Sequence, residues 1–324
     1  MLERDGHGHR MLRFGRELSP RPDPACGVED WKQANPAKIR AALERAMALP
    51  WGGWLVVDSS RRIGERPQSY WVDGHELVAW RGVAGPVVAT NCCPHMGAPL
   101  STGRARHGKL VCPWHGLELG VEERGAFRPL EVHDDGHLLW VRPGDPDAKV
   151  PRPILPDRPA RALSGCIRLL ARCEPRDVIA NRLDPWHGIH LHPHSFRRLR
   201  VLELGEDRIM LRVAFRVAGP LCVEVDAAFH CADPNTIVMT IVDGDGKGSV
   251  VETHATPTGH GMTSIVELTL ATSDRPGFGL VLSASSFVRP LLERAARRLW
   301  TEDAAYAERT ASLREGKSAR LPVR

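Results

Sequence analysis

The sequence predicts an α+β chain in two parts, a small antiparallel β domain followed by a larger domain whose curved antiparallel sheet is flanked by helices. Between residues 54 and 141, short β-rich runs alternate with turns and no helical period appears. Beyond residue 160 the order is a strand, a helix, a long run that alternates as strands do, and a C-terminal helix. A length of 324 residues suits two domains of ordinary size.

Changes in composition and in hydrophobic periodicity along the chain predict where these parts begin. Residues 1–49 read as a Pro-rich arm followed by a helix, and we expect them to pack on the larger domain. Residues 50–145 form the small β domain, and residues 146–324 form the larger one. The Pro-rich stretch 142–153 is the predicted linker between the two.

The individual elements follow from periodicity. In the larger domain we expect a strand at Cys166–Cys173, a helix from Arg176 that continues past His187 towards Pro193, strands over 200–287 and a helix over 289–315. Strands are predicted in the small domain at Trp54–Val57, Ser69–Val72, Glu76–Trp80, Val87–Thr90, Leu110–Cys112 and Leu138–Val141.

Composition excludes several classes of protein. The formal charge of +5 is mild and there is no long lysine run, so nucleic acid is not an expected partner. No apolar stretch approaches the roughly 20 residues that a bilayer-spanning helix needs. Eight cysteines are too few for a disulfide scaffold. The N-terminus is polar, without the apolar core of a secretory signal, and we therefore expect a cytoplasmic protein with reduced thiols.

The strongest chemical signal is a pair of short motifs, Cys93-Pro-His95 and Cys112-Pro-Trp-His115. Two thiolates and two imidazoles could hold a tetrahedral zinc ion. They could equally hold a [2Fe-2S] cluster with two cysteines on one iron and two histidines on the other. The one-residue spacing in Cys-x-His is unlike that of most zinc fingers, and each motif supplies one ligand of each type, which favours the cluster.

With Pro94, Pro113 and Gly116 around them, these motifs resemble a Rieske iron–sulfur domain over roughly residues 50–145. The resemblance implies that Cys93 and Cys112 bind one iron of the cluster and that His95 and His115 bind the other. The neighbouring Cys92 is outside the pattern, and we expect it to be a buried core thiol.

A second signal places four histidines within eight residues, at positions 187, 190, 192 and 194, close behind Asp184. Helical spacing alone does not select the pair that would bind a metal. Residues 190 and 194 would share a face of an ideal helix, whereas 187 and 192 would not. Pro193 cannot continue a regular helix, so the local geometry stays open.

The same resemblance extends to this segment, because oxygenase α subunits with a Rieske domain carry the motif Asn-x-x-Asp-x-x-His-x4-His after it. The motif matches Asn181, Asp184, His187 and His192. It implies that His187 and His192 bind a mononuclear iron and that Asp184 bridges two metal centres. His190 and His194 are left without an assigned role. Many relatives have an acidic residue before the Asn, and this chain departs from that pattern with an alanine at position 180.

Two histidines need a carboxylate to complete the facial triad of a non-haem Fe(II) oxygenase. The resemblance implies an Asp on a C-terminal helix, often in a Glu-Asp pair, and Glu302-Asp303 fits that description. Asp303 is the predicted ligand and Glu302 the alternative. Asp274 and Asp243 are further candidates, in predicted loops.

The resemblance also implies how electrons arrive. We find no Gly-x-Gly-x-x-Gly fingerprint after a strand, so the chain is not expected to take hydride from a nicotinamide cofactor. A separate NAD(P)H-dependent reductase, a ferredoxin, or both are implied, and so is a homotrimer in which the cluster of one subunit serves the iron of the next. Exposed charges between the cluster motifs could form a docking face for an acidic partner, and they are Arg104, Arg106, His107 and Lys109.

The predicted function is that of a terminal oxygenase component that uses O2 to hydroxylate, dealkylate or desaturate an organic substrate. We expect a hydrophobic substrate, because no Arg or Lys is evident in the prospective pocket, whose walls should include Leu183, Trp186, Ile189 and the region of Phe287. By the same resemblance, the single-chain size and the short spacing between the domains look more like the monooxygenase branch of the family than the ring-dihydroxylating branch. The alternative is a Rieske electron-transfer protein whose second domain is not catalytic.

Overall fold

The computed structural model describes residues 2–4, 10–12, 30–144, 150–218 and 221–316. The remainder of the predicted N-terminal arm lies outside the described residues. The helices are α1 (Asp30–Gln33), α2 (Pro36–Met47), α3 (Pro175–Arg182), α4 (His187–Leu191), α5 (Phe278–Ser283) and α6 (Ser285–Arg314). The strands are β1 (Leu2–Arg4), β2 (Arg10–Leu12), β3 (Leu55–Ser59), β4 (Gln68–Val72), β5 (His75–Arg81), β6 (Pro86–Thr90), β7 (Arg104–Arg106), β8 (Lys109–Val111), β9 (Glu118–Leu119), β10 (Glu131–Asp134), β11 (Leu138–Arg142), β12 (Leu163–Ala171), β13 (Phe196–Leu204), β14 (Ile209–Ala218), β15 (Leu221–Asp233), β16 (Thr236–Gly244), β17 (Val250–Gly259) and β18 (Met262–Ala271).

Strands β3 to β11 build the small domain as three antiparallel sheets of three strands each, ordered β10-β11-β3, β4-β5-β6 and β7-β8-β9. Two apolar clusters fill it. One lies between the first two sheets and includes Leu55, Leu77 and Leu139. The other lies beneath the cluster motifs and includes Trp80 and Phe127. The motifs therefore stand on a packed base.

The larger domain is built on one antiparallel path, β13-β14-β15-β16-β17-β18-β12. The short strand β2 adds to β15 in parallel. Helices α2, α3 and α6 cover one face of this sheet. A cluster that includes Ile179 and Ile237 joins α2 and α3 to the sheet, and one that includes Trp300 and Ile265 joins α6 to it. The predicted α+β class is confirmed.

The opposite face of the sheet packs on the small domain. Trp54 and Trp140 form one buried cluster with Leu268 of β18. Beside it, Arg158 in the segment between β11 and β12 forms ion pairs with Asp135 of the small domain, at 3.0 Å, and with Glu252 of β17, at 2.6 Å. The two carboxylates are buried, so the guanidinium of Arg158 links the small domain to the sheet of the larger domain through both ion pairs.

The helix predicted from Arg176 through the histidines is two helices. α3 ends at Arg182 and α4 begins at His187. Pro185 lies between them, and it both lacks a backbone N–H and disfavours helical backbone at the residue before it. The convergence of His187 and His192 has a second local cause: His192 follows α4 with non-helical backbone (φ −118°, ψ 51°), so the two side chains do not keep the spacing of an ideal helix.

Candidate metal centres

The two cluster motifs occupy loops with matched backbone geometry, one after β6 and one after β8. The Cys93 N–H donates to the Ala98 carbonyl at 2.9 Å, and the Cys112 N–H donates to the Leu117 carbonyl at 2.9 Å. Four residues after each cysteine comes a glycine with positive φ, Gly97 at 75° and Gly116 at 72°. Only glycine adopts this backbone without strain, so both turns are encoded locally.

The loops present two kinds of donor at one end of the domain. The thiols of Cys93 and Cys112 are buried. His95 and His115 are exposed, and their rings lie 4.8 Å apart in an edge-to-face arrangement. Two buried thiols and two exposed imidazoles are the donor set that would hold a [2Fe-2S] cluster with two cysteines on one iron and two histidines on the other. Cys92, which we expected to be buried, is half-buried and its thiol lies near the Cys93 carbonyl.

Backbone N–H groups point at both thiols, those of His95 and Met96 at Cys93 and those of Trp114 and His115 at Cys112, and the two thiols also act on each other. Burial raises the pKa of the Cys93 thiol above its ordinary value. Burial acts in the same direction on Cys112, but the N–H groups of Trp114 and His115 point at its sulfur and bring the pKa of that thiol below its ordinary value. Such N–H groups stabilise a thiolate, which is the form that binds iron.

In the larger domain, two imidazoles converge on one carboxylate. Nε2 of His187 lies 3.1 Å from Oδ1 of Asp303, and Nε2 of His192 lies 2.9 Å from the same oxygen. The three ligand atoms are all within 4.8 Å of one another. His192 and Asp303 are almost fully buried, and His187 is largely so. α4 and the turn after it supply the histidines, while α6 supplies the aspartate.

Neighbouring side chains hold this arrangement. Asn181, near the end of α3, donates from Nδ2 to Oδ1 of Asp303 at 3.2 Å. Glu302 lies on the other side of His192, with Oε2 2.7 Å from Nδ1. Its position shows that Glu302 does not converge with Asp303 on the two Nε2 atoms. His194 approaches Glu302 at 3.8 Å.

The charges of this site act on each other. Burial would raise the pKa of Asp303, but its hydrogen bonds to His187 and His192 hold that pKa well below its usual range. Burial likewise opposes the cationic form of His192, yet Asp303 and then Glu302 raise the pKa of the imidazole. An anionic carboxylate between two imidazoles is a donor set that attracts a divalent cation.

Asp184 lies on the outer side of His187. The hydroxyl of Tyr306 donates to Oδ2 of Asp184 at 3.0 Å, and Nδ1 of His187 lies 3.9 Å from that same oxygen. The Tyr306 ring stacks on the His187 ring at 5.2 Å. Oδ1 of Asp184 and Nδ1 of His187 are buried and have no hydrogen-bond partner among the described residues. Tyr306 is one helical turn after Asp303, and that spacing alone could have marked it as part of the site.

The other candidates lie elsewhere. Asp274 is exposed between β18 and α5, and Asp243 is half-buried on β16. Within the described ranges, neither joins a group of side chains that could share a metal ion. His190 is exposed on α4.

A cavity of about 870 Å³ opens between α2 and the sheet, on the side where Leu183 and Trp186 bracket the Asp184 segment. Its inner wall is largely apolar and includes Ile209 and Phe229. Leu183 and Trp186 were expected there. The region around Phe287 was not correctly placed, because that side chain is exposed on α6. The mouth of the cavity carries both acidic and basic residues from α2 and from the turn before β14.

Comparison with known proteins finds two family matches. The Rieske [2Fe-2S] domain matches residues 53–134, and a family described as domain of unknown function (DUF5914) matches residues 144–318, more than half of the chain. Among the helices that the structure describes, none has the length and apolar composition to cross a bilayer.

Curated relatives match part of the chain. A vanillate O-demethylase oxygenase subunit from a Pseudomonas species is 32% identical over 182 residues, which cover 51% of this chain and 50% of the relative. A 4beta-methylsterol monooxygenase from Methylococcus capsulatus is 30% identical over 199 residues, covering 53% of each. The chain spans about half the length of the curated relatives it matches.

The fold has counterparts among solved structures. The crystal structure of dicamba monooxygenase bound to dicamba superposes with a TM-score of 0.62 at 19% identity, covering 84% of this chain and 92% of that one. At this identity the likeness establishes the fold. Together with the family matches it confirms the resemblance seen in the sequence: the chain belongs to the family described as domain of unknown function (DUF5914), joined here to a Rieske [2Fe-2S] domain in the architecture of a Rieske non-haem iron oxygenase α subunit.

Proposed function

We propose that this chain is the terminal oxygenase component of a multi-component system, and that it uses O2 to hydroxylate, dealkylate or desaturate a hydrophobic organic substrate. The observation that carries the proposal is the convergence of the Nε2 atoms of His187 and His192 on one oxygen of Asp303, at 3.1 and 2.9 Å. A protein that only carries electrons through a Rieske cluster does not need these three side chains as a second metal site. The names of relatives, two O-demethylases and an N-alkylformylase, support dealkylation among the three outcomes.

In this proposal, His187, His192 and Asp303 hold a mononuclear Fe(II), while Cys93, His95, Cys112 and His115 hold the [2Fe-2S] cluster. When bound, the cluster supplies single electrons and the mononuclear iron supplies open coordination positions for O2. Neighbouring side chains would orient these ligands. Asn181 donates to Oδ1 of Asp303, and Glu302 at Nδ1 of His192 fixes the tautomer of that ring. The proposed division into 1–49, 50–145 and 146–324 is supported by where the two families match.

The proposed route for electrons runs between subunits of a homotrimer. Oδ1 of Asp184 is a buried acceptor with no partner in the described part of the chain, and His115 is an exposed donor at the tip of the small domain. A hydrogen bond from His115 of the partner subunit would satisfy that acceptor. Asp184 would then hold the imidazoles of both centres, and Tyr306 would keep its second oxygen in place.

Electrons are proposed to come from a separate NAD(P)H-dependent reductase, directly or through a ferredoxin. Arg104, Arg106 and Lys109 are exposed between the two cluster motifs, so a positive surface lies beside the exposed imidazoles. Such a surface would steer an acidic electron donor and orient it towards the cluster. A cytoplasmic location is part of the proposal, and it is supported by the free thiols of Cys166, Cys173 and Cys231.

Iron counting on the purified full chain tests the proposal. An oxygenase with both centres contains three irons per chain, whereas an electron carrier with a Rieske cluster contains two. Visible absorption reports the cluster independently. Three irons, with the third removed by Asp303→Asn while the visible spectrum persists, is the expected result. Two irons under reconstitution with excess Fe(II) would refute the catalytic site and leave the carrier.

A further inference from the structure

An exposed apolar face at the junction of α5 and α6 takes no part in either metal site. Leu280 of α5 is 76% exposed, and Phe287 and Leu291 of α6 are 81% and 68% exposed. None of the three belongs to an apolar cluster formed by the described residues. A single exposed leucine is ordinary in a folded protein, but several large apolar side chains together mark a surface that binds a partner.

The three side chains lie along one helical stripe. A single residue, Ala284, separates α5 from α6, and helix-type hydrogen bonds continue through it. The Ala284 N–H donates to the Leu280 carbonyl at 2.9 Å, and the Val288 N–H donates to the Ala284 carbonyl at 3.1 Å. Phe287 comes seven residues after Leu280 and Leu291 four residues after Phe287, which are the spacings of one helix face. The apolar side chains are therefore parts of one surface.

The opposite side of α6 holds the helix on the sheet. Nε of Arg289 donates to the Ser164 carbonyl at 2.8 Å, and the Cys166 N–H donates to Oε1 of Glu293 at 3.0 Å. Both contacts are with β12, and Trp300, further along the same side, is buried. The packing of α6 on the sheet therefore does not use the apolar stripe, which faces away from the domain.

Two exposed arginines, Arg294 and Arg298, follow the apolar side chains along the same stripe, three and seven residues after Leu291. The nearest acid in the sequence, Glu293, points to the other side of the helix and pairs with Arg61. The described part of the chain offers neither arginine of the stripe an ion-pair partner. The stripe thus joins an apolar end to a cationic end without an acid to balance the charge.

The stripe also lies far from the contact proposed between subunits. Asp184, the proposed acceptor for His115 of the partner subunit, is bonded to Tyr306 near the other end of α6. Nineteen positions separate Phe287 from Tyr306, which corresponds to roughly 28 Å of helix at about 1.5 Å per residue. The proposed trimer contact at Asp184 therefore does not reach the stripe.

We infer that this stripe, which comprises Leu280, Phe287, Leu291, Arg294 and Arg298, docks on the surface of an anionic lipid bilayer. The apolar side chains enter the boundary between the headgroups and the acyl chains, and the guanidinium groups bind lipid phosphates beside it. Arginine suits this position, because its planar fork binds two phosphate oxygens while its apolar stem stays in the lipid. The inference goes beyond the proposed function and holds whether or not the chain is an oxygenase.

A bilayer fits the stripe better than a second copy of this chain does. A symmetric contact between two copies would pair the stripe with itself and bring two more arginines and no acid to the interface. Buried guanidinium groups without carboxylates are costly, whereas a lipid surface supplies many phosphates. If the proposed function also holds, the stripe brings the chain to the phase in which a hydrophobic substrate dissolves.

Vesicle flotation of the full chain, as purified, tests the inference. The vesicles contain phosphatidylcholine alone or an equal mixture of phosphatidylcholine and phosphatidylglycerol. We expect binding to the mixed vesicles, little binding to the neutral ones, and release by high salt. Phe287→Ser combined with Leu291→Ser should lower the apparent affinity by about tenfold or more, because both side chains lose favourable transfer into lipid. Arg294→Gln combined with Arg298→Gln should remove most of the preference for the anionic vesicles.

The matched control is Leu313→Ser, because Leu313 is also exposed on α6, at 58%, and lies beyond the stripe near the end of the helix. This variant should bind the vesicles as the wild type does. Phe287→Trp gives a second measurement that keeps an apolar ring at the exposed position. Vesicles with brominated acyl chains should quench more tryptophan emission in this variant than in the wild type.

The inference is overturned if the wild type does not bind the mixed vesicles, if the double variant of Phe287 and Leu291 binds as the wild type does, or if Phe287→Trp shows no additional quenching. It is also overturned if that double variant sediments as a smaller oligomer than the wild type, since the stripe is then a contact between copies. Iron content separates the two proposals. Three irons without vesicle binding refute only the docking face, and vesicle binding with two irons refutes only the oxygenase.

Discussion

Glu302 and His192 form a carboxylate–imidazole pair on the side of the ring that faces away from Asp303. Oε2 of Glu302 lies 2.7 Å from Nδ1 of His192, while Nε2 of the same ring lies 2.9 Å from Asp303. A carboxylate on Nδ1 keeps the proton there, so the Nε2 lone pair is available to a metal. Two adjacent acids of α6 thus have different tasks, one as a proposed ligand and one as the residue that positions a ligand.

Replacing Glu302 by alanine should weaken Fe(II) binding at the mononuclear site by about tenfold to a hundredfold, the usual cost of losing such a partner. Glu302→Gln should recover part of the loss, because its amide oxygen can still accept from Nδ1. Anaerobic competition with a coloured Fe(II) chelator measures both variants. Thr301→Ala, on the exposed side of the same helix, is the control. Equal affinity for the alanine variant and the wild type would exclude the positioning role.

Asp184→Asn should keep the fold and all three irons but lower the rate of single-turnover O2 consumption by at least about tenfold. The amide retains one acceptor and loses the negative charge that would hold two imidazoles. Iron content, circular dichroism and stopped-flow oxidation of the chemically reduced protein measure the three properties. A wild-type rate in this variant would remove Asp184 from the electron route.

Tyr306 acts on both Asp184 and His187, and two substitutions separate these contacts. Burial and then Asp184 raise the pKa of the Tyr306 hydroxyl, so it keeps its proton and donates throughout the neutral range. Tyr306→Phe removes the hydrogen bond and keeps the stacked ring, so single-turnover oxidation should slow severalfold while Fe(II) affinity is unchanged. Tyr306→Ala removes both contacts and should also weaken Fe(II) binding. If the phenylalanine variant lost iron as readily as the alanine variant, the hydroxyl would be a structural support of the ligands.

The Arg158 ion pairs predict a pH dependence of stability. Burial would raise the pKa of Glu252, but hydrogen bonds from His254 and Arg158 bring it below its ordinary value of 4.5. Because the folded-state pKa is the lower one, this stabilisation is complete above pH 4.5 and is lost as pH falls through the folded-state value. The urea midpoint should therefore fall with pH below 4.5, and less steeply in Glu252→Gln.

The same ion pairs predict the effect of removing their shared cation. Arg158→Met leaves Asp135 and Glu252 buried without their partner, which should cost about 3–5 kcal/mol at pH 7. Urea unfolding followed by tryptophan fluorescence measures it, because Trp140 donates to Asp135 at 2.7 Å. Arg161→Met is the control, because Arg161 is exposed in the same segment between β11 and β12. Identical midpoints for Arg158→Met and the wild type would show that these charges do not join the two parts.

The features that the sequence could predict are those formed by residues close together along the chain. The cluster loops depend on residue types at fixed spacing and on one glycine four residues after each cysteine, so the sequence alone predicts them. The sequence pattern also predicted a helix from Arg176 towards Pro193, but the prediction of one continuous helix was wrong. The structure has two helices with Pro185 between them, and the spacing of side chains along a sequence does not show where such a break falls.

Features made by distant segments were harder to predict. The prediction of Asp303 as a ligand came from the family resemblance. No residue near position 190 indicates which of the 39 acidic residues of the chain lies beside the histidines. The structure brings it to them, and its role as a ligand stays a proposal.

The central claim is that His187, His192 and Asp303 hold a ferrous ion with positions open to a diatomic ligand. Electron paramagnetic resonance of the anaerobic Fe(II)-loaded chain titrated with nitric oxide tests it most directly. We predict one high-spin ferrous–nitrosyl signal per chain, absent in His192→Ala and in Asp303→Asn while the spectrum of the reduced cluster is retained. A wild-type chain with an intact cluster and no nitrosyl signal, or a signal that survives both substitutions, would contradict the claim.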